Sequence, residues 1–373
     1  MATGKAAVLE SYEKGLQVQD VPIPKPTNGE IVIRVLAFHL LAYTKNIVNG
    51  SQQGYSLPLP LTPGGSCVGR VHATGPDTTA FQEGQLVLCD PTIRARDDPS
   101  AQCLLGIFEG VTDGSRKLMR HVYRNGCMAQ YVKMPLENVY ALNEEVLLQD
   151  QGYQITDLPL LQTCMIPFGG LDDAGVKVGD TVIVAPATGK FGGAAVLMAL
   201  MMGAQVVACG RNEKALERLK ESMPFPSLKT LRWESDEEKD TKALMKLLKG
   251  KPADVFIDFS PPAAAAGGKS PEHIATCVNV LKRGGVVSLM GGIRGKIEIP
   301  YMQVLFKNLI VRGKFMYEKE QAQQVIKMAE KGFWKIGKVA GLKVIPFGLD
   351  QINDALDNAA QHPGWGTIVA VTP

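Results

Sequence analysis

At 373 residues the chain is longer than one average domain, and at about 150 residues per domain it predicts two or three. Lys plus Arg number 40 against 37 Asp plus Glu, and a net charge of +3 gives no basis for nucleic acid or an anionic membrane as partner. Hydrophobic residues at 45% and charged ones at 21% exclude intrinsic disorder. From residue 5 to about 140 the chain shows short β-type runs, AAVLE, IVIRVLAF, VGRVHATG, QLVLCD and AQYVKM, separated by Pro and Gly. These predict an irregular β-rich domain. The stretch 94–124 is polar and poorly periodic, as in a long surface loop or lid.

The pattern changes near residue 155. Apolar runs at 181–185, 206–209, 229–232, 254–259, 286–290 and 309–312 predict strands, and helix-like stretches at 191–203, 213–222, 238–249 and 272–282 alternate with them. Such alternation predicts a doubly wound parallel sheet of the Rossmann type. Helix-like stretches at 319–331 and 349–360 follow, and then a terminal strand, GTIVAVT. That strand is expected to return to the first domain, which makes the first domain discontinuous. The boundaries are set at 1–155 and 312–373 for the discontinuous domain and at 156–311 for the parallel sheet. Seven scattered cysteines form no C-x-x-C, a pattern of reduced thiols. No basic segment followed by an apolar one opens the chain, and its longest apolar stretch is interrupted at Gly203 and Gln205. A cytoplasmic location, with no membrane association, is expected.

The strongest motif lies within 179–212, GDTVIVAPATGKFGGAAVLMALMMGAQVVACGRN. A buried strand ends at Ala185, a tight turn holds Ala187, Thr188, Gly189, Lys190, Phe191 and Gly192, and an apolar helix follows. A pyrophosphate at a helix start needs free backbone N–H groups and small residues beside it. The usual first glycine is replaced by Ala187. At the end of the next strand, where an NAD-binding chain places an acidic residue, stands Arg211 in Gly210-Arg211-Asn212. An Arg there pairs with a 2′-phosphate, and Lys214 adds a second cation. NADP(H) is therefore expected in preference to NAD(H).

Here the chain resembles the medium-chain dehydrogenase/reductase superfamily. The resemblance rests on Gly64-Gly65-Ser66-Cys67-Val68-Gly69-Arg70-Val71 with Gly75, on Gly179-Asp180-Thr181-Val182, on Arg283-Gly284-Gly285, and on Asn308-Leu309-Ile310-Val311-Arg312-Gly313. It implies a GroES-like catalytic domain built from both chain ends, an inserted nucleotide domain and an active-site cleft between them. Zinc members carry ligands near positions 41, 65, 66 and 164; here stand Leu41, Gly65, Ser66 and Cys164. One thiol falls short of the three protein ligands of a catalytic zinc, so no metal is expected. The resemblance thus narrows to the zinc-independent, quinone-reductase and enoyl-reductase-like branch.

Without a metal, a tyrosine is suited to stabilise or protonate the product. Tyr55 resembles the acid of the enoyl reductases, and Tyr43 stands where zinc dehydrogenases put a proton-relay hydroxyl; His39 ranks third. The resemblance also lays Gly291 and Gly292 against the nicotinamide and Ser260 along the cofactor. Phe168, Phe315 and Met316 are candidates for an apolar substrate cleft. The expected activity is NADPH-dependent hydride transfer to an activated C=C or C=O of a small molecule. A zinc-independent alcohol dehydrogenase and a non-catalytic NADPH-binding scaffold are the alternatives. A homodimer is expected, because related enzymes pair edge strands of the nucleotide domain.

Overall fold

In the first 140 residues, β-branched runs fold as strands wherever Pro and Gly leave them room. A computed structural model describes residues 2–52 and 54–373. β1 (Thr3–Leu9) and β2 (Leu16–Pro22) pair antiparallel. β3 (Glu30–Leu40) is almost wholly buried and organises this unit. After a short helix, α1 (Thr44–Val48), β4 (Cys67–Thr74) lies antiparallel against β3, and β5 (Leu86–Cys89) against β4. Between β3 and β4, Gly64 adopts a left-handed φ of 106° and lets Cys127 and Met128 approach its backbone.

The expected open loop at 94–124 is instead structured. β6 (Thr92–Arg94) and β7 (Gln102–Leu104) form a hairpin, and α2 (Asp113–His121) follows. The low periodicity concealed a capping box: Thr112 accepts from the Ser115 N–H, and the Ser115 hydroxyl accepts from the Thr112 N–H. β8 (Tyr131–Pro135) then pairs with β3, and β9 (Val139–Ala141) with β5.

The second unit begins within α3 (Leu160–Asp173). Its strands are β10 (Thr181–Ala185), β11 (Gln205–Gly210), β12 (Leu228–Arg232), β13 (Ala253–Asp258), β14 (Leu281–Leu289) and β15 (Ile310–Gly313). They form one parallel sheet in the order β12-β11-β10-β13-β14-β15. The central strands are buried on both faces and therefore read as continuous apolar runs rather than as alternation. The connecting helices are α4 (Lys190–Met201), α5 (Glu213–Ser222), α6 (Glu237–Leu247), α7 (Glu272–Asn279) and α8 (Tyr301–Lys307). α9 (Lys319–Glu330) follows β15.

The chain returns through β16 (Lys343–Gly348), α10 (Ile352–Gln361) and β17 (Thr367–Thr372). β17 runs parallel to β16 and antiparallel to β3, so the first unit is discontinuous. One unit comprises Met1–Gln162, Ala329–Pro363 and Thr367–Pro373, and the other Thr163–Met328 and Gly364–Gly366. The boundary set at 311/312 would cut β15. That strand and most of α9 stay with the parallel sheet, because β15 pairs with β14 and Gln321 donates to the Asp172 carboxylate at 2.7 Å. Among the described residues no helix is long and apolar enough to cross a membrane.

Candidate dinucleotide site and tyrosine pair

The turn after β10 is set by backbone contacts. The Ala187 N–H donates to the Cys209 carbonyl at 2.7 Å, which ties the turn to the end of β11. Gly189 is the N-cap of α4 and supplies no side-chain cap, so the first N–H groups of the helix are left for another acceptor. At Gly192 a Cβ would collide with the Pro186 carbonyl, so only glycine allows helix and strand this close an approach. The Thr188 side chain packs against Gly210, and Phe191 stacks on Phe259 with centroids 6.5 Å apart. Lys190, half-buried at the first turn of α4, has its ammonium pulled down to about 8 by desolvation.

Sequence reasoning missed one partner of this turn. Gly364 bridges Gly189, the Trp365 N–H donates to the Thr188 carbonyl at 3.1 Å, and the Trp365 side chain fills the space beside Gly193. These residues are far apart in the chain, so no local pattern announces them.

At the end of β11, Arg211 and Lys214 are exposed, and neither side chain bonds to any other described residue. Asn212, expected at the cofactor, caps α5: its Oδ1 accepts from the Ala215 N–H at 3.1 Å. Ser260 is the next of the expected cofactor residues. It is 1% exposed, and its hydroxyl is engaged by Asp258 and His273 rather than open to a ligand. The Gly292 N–H is likewise spent on the Ser260 carbonyl at 2.8 Å, while Gly291 and Gly292 are exposed. Phe168 is a core residue, 1% exposed, whereas Phe315 is exposed and Met316 buried.

In the β-rich unit the two candidate tyrosines are neighbours. The Tyr43 and Tyr55 rings lie 6.4 Å apart, and Phe108 continues the cluster 5.5 Å from Tyr55. Burial, helped by Tyr55, pushes the Tyr43 phenol far above its ordinary range, so it holds its proton. Beside Tyr55, the Ser56 hydroxyl donates to Glu109 at 2.7 Å, and Arg120 grips the same carboxylate at 2.8 and 3.1 Å. Burial alone would raise Glu109, but the bonds from Arg120 and Ser56 outweigh it and hold its carboxyl below the usual range. His39 has a structural bond, Nε2 lying 2.7 Å from the Thr156 carbonyl.

The positions where the resemblance puts zinc ligands do not suit that ion. Leu41 and Gly65 carry no ligand atom, and the Ser66 hydroxyl donates to the Cys89 carbonyl at 2.8 Å. Burial raises the Cys164 thiol well above its ordinary range, which opposes the thiolate a metal needs. All seven cysteines are free and buried, and among the described residues no group of three or more His, Cys, Asp or Glu is arranged to hold a metal.

Two families match the chain: the alcohol dehydrogenase GroES-like domain over residues 27–144, and zinc-binding dehydrogenase over 191–331. The chain belongs to the medium-chain dehydrogenase/reductase superfamily. It is 27% identical over 329 residues to an L-threonine 3-dehydrogenase of Anaeromyxobacter dehalogenans, covering 84% of this chain and 85% of the relative. A zinc-binding dehydrogenase of Sinorhizobium meliloti 1021 bound to NADP shares the fold at a TM-score of 0.75, with 19% identity and full coverage of both chains. A short chain alcohol dehydrogenase of E. coli CFT073 complexed with NADH does so at 0.77, again with 19% identity and full coverage. Membership makes the chain an oxidoreductase of the alcohol dehydrogenase type. In this superfamily member the uncapped start of α4 and the ends of β11, β13 and β14 lie at one edge of the sheet, where open α/β sheets bind their ligands.

Proposed function

We propose that the protein is an NADP(H)-dependent oxidoreductase that transfers hydride to an activated C=C or C=O of a small molecule without zinc. The observation that carries the cofactor choice is Arg211: exposed, unpaired among the described residues, and placed at the end of the strand beside the glycine-rich turn. A 2′-phosphate there gains a charge-assisted pair, with Lys214 close in sequence. The start of α4 and Lys190 receive the pyrophosphate. When bound, the nicotinamide supplies the hydride. Tyr55 donates the proton that completes reduction, and Tyr43 keeps its own proton beside it. The donor chemistry at Leu41, Gly65, Ser66 and Cys164 supports a reaction without zinc.

A pair between Arg211 and the phosphate is worth about 1.5–3 kcal/mol, or roughly 10- to 150-fold in affinity. Arg211→Ala should therefore weaken NADPH by that factor and leave NADH nearly unchanged, as read by titrating nucleotide fluorescence. Equal losses for both nucleotides would reverse the NADP preference. Turnover of NADPH with enones and quinones should persist under chelator; its loss, restored by zinc, would overturn the metal-free reading. The relatives named L-threonine 3-dehydrogenase favour a second reading, oxidation of a secondary alcohol such as threonine. The same assay run with alcohols and the oxidised nucleotides separates the two.

We also infer a homodimer through β15. All four residues of this edge strand are exposed, including Ile310 and Val311, and α8 beside it exposes Tyr301, Met302, Leu305 and Phe306. An apolar open edge is self-complementary about a two-fold axis. Sedimentation should give the dimer mass for the wild type and the monomer for Ile310→Lys. A wild-type monomer at micromolar concentration would reject the pairing.

A further inference from the structure

The ends of β13 and α7 bring together three polar side chains whose connection no sequence pattern shows. Asp258 is 2% exposed and Ser260 1% exposed, and the side chain of His273, in the first turn of α7, is 15% exposed. Ser260 Oγ lies 2.5 Å from Asp258 Oδ1, and His273 Nε2 lies 2.9 Å from Ser260 Oγ and 3.3 Å from Asp258 Oδ1. A proton count assigns these bonds. The serine has one hydroxyl proton, and it goes to the carboxylate at the shorter distance. Its oxygen can then only accept from the imidazole, so His273 Nε2 carries a proton and donates.

The same count excludes a nucleophile. A serine nucleophile gives its proton to one imidazole nitrogen while an acid holds the other; here acid and serine share one nitrogen, and the serine proton points at the acid. The three groups act as a clamp. The Ser260 N–H donates to Asp258 Oδ1 at 3.2 Å, the Met290 N–H to the Asp258 carbonyl at 3.1 Å, and the Gly292 N–H to the Ser260 carbonyl at 2.8 Å. At Gly291 a Cβ would run into Asp258 Oδ2 and the Ser260 backbone, so the loop after β14 rests directly on the clamp.

The strand order says what the clamped loops face. β11, with Arg211 at its end, flanks β10 on one side, and β13 and β14 flank it on the other. A dinucleotide whose pyrophosphate sits at the turn after β10 and whose adenosine reaches Arg211 extends its other half toward the ends of β13 and β14. We propose that Asp258, Ser260 and His273 are positioning residues that hold loops 259–262 and 290–293 in the shape that receives the nicotinamide half of the cofactor. This rests on the dinucleotide reading above.

The test compares NADPH with 2′-phospho-ADP-ribose, which is the same ligand without nicotinamide, on the full chain. Ser260→Ala and His273→Leu should weaken NADPH about tenfold and change the fragment less than about twofold, the size expected when one buried anchor is lost. His273→Gln, which retains an N–H donor, should recover most of the NADPH affinity. Thermal melts identify any variant that fails to fold, and Ser260→Ala, which removes a single atom, remains the deciding variant. Equal weakening of both ligands, or unchanged NADPH affinity in folded Ser260→Ala, overturns the positioning role. A wild type that binds neither ligand overturns the dinucleotide reading itself.

Discussion

The parallel-sheet unit and the β-rich unit hold their candidate residues by different means. At the turn after β10 the work is done by backbone: the Ala187 N–H on the Cys209 carbonyl, Gly189 opening α4, and Gly192 admitting the Pro186 carbonyl. Tyr43 and Tyr55 are instead held by side chains, through Phe108, and through Ser56 to Glu109 and on to Arg120. Backbone sites rest on glycines and helix starts spaced a few residues apart. The side-chain site also joins residues far apart in the chain, Tyr55 to Phe108 and Ser56 to Glu109, and no local spacing marks those pairs.

The largest effect expected is in the tyrosine pair, and it sharpens the contrast. Tyr55→Phe should lower kcat by the roughly 10²–10⁴-fold of a lost general acid while leaving NADPH affinity intact, because the proposed nucleotide residues belong to the other unit. Pre-steady-state and steady-state rates with one enone measure both quantities. Should Tyr43→Phe produce this loss and Tyr55→Phe not, the assignment passes to Tyr43, whose buried phenol keeps its proton. A fall in NADPH affinity on either substitution would break the division of labour between the units.

What the sequence made legible follows the same line. The central parallel strands were visible because burial on both faces writes them as unbroken apolar runs, and β10 begins and ends where its TVIVA run does. The start of β14 was not visible, since Gly284 and Gly285 read as a turn, yet the strand runs from Leu281 to Leu289 with a register shift against β13. The β6–β7 hairpin and α2 were taken for a loop, because strands of three residues and one polar helix carry little periodicity. Asn212, expected at the cofactor, caps α5 through its Oδ1, because a helix cap and a ligand contact call for the same side chain. Trp365 reaches its site from far along the chain and His273 from the helix that follows β13, and nothing within a few residues of either marks them.

The smallest effect concerns Lys190 and tests whether the backbone site also depends on a side-chain charge. Desolvation lowers its ammonium to about 8 from 10.5. A bound pyrophosphate favours the charged form, so binding must draw in a proton wherever Lys190 is neutral before the nucleotide arrives. Below about pH 8 the lysine is already charged and NADPH affinity should be flat in pH. Above it, affinity should fall by up to about tenfold per pH unit, the limit for uptake of one proton. The folding sign runs the other way: the folded value lies below the unfolded one, so the unfolded chain holds the extra proton between about 8 and 10.5. The burial penalty of this group is therefore fully present below pH 8 and is relieved as pH rises. Lys190→Met should flatten the alkaline fall in affinity, whereas Arg211→Ala should lower the affinity and leave that slope in place. Isothermal titration in buffers of different ionisation enthalpy counts the proton directly. An undiminished slope in Lys190→Met would assign that proton to another group and leave the turn after β10 a site of backbone alone.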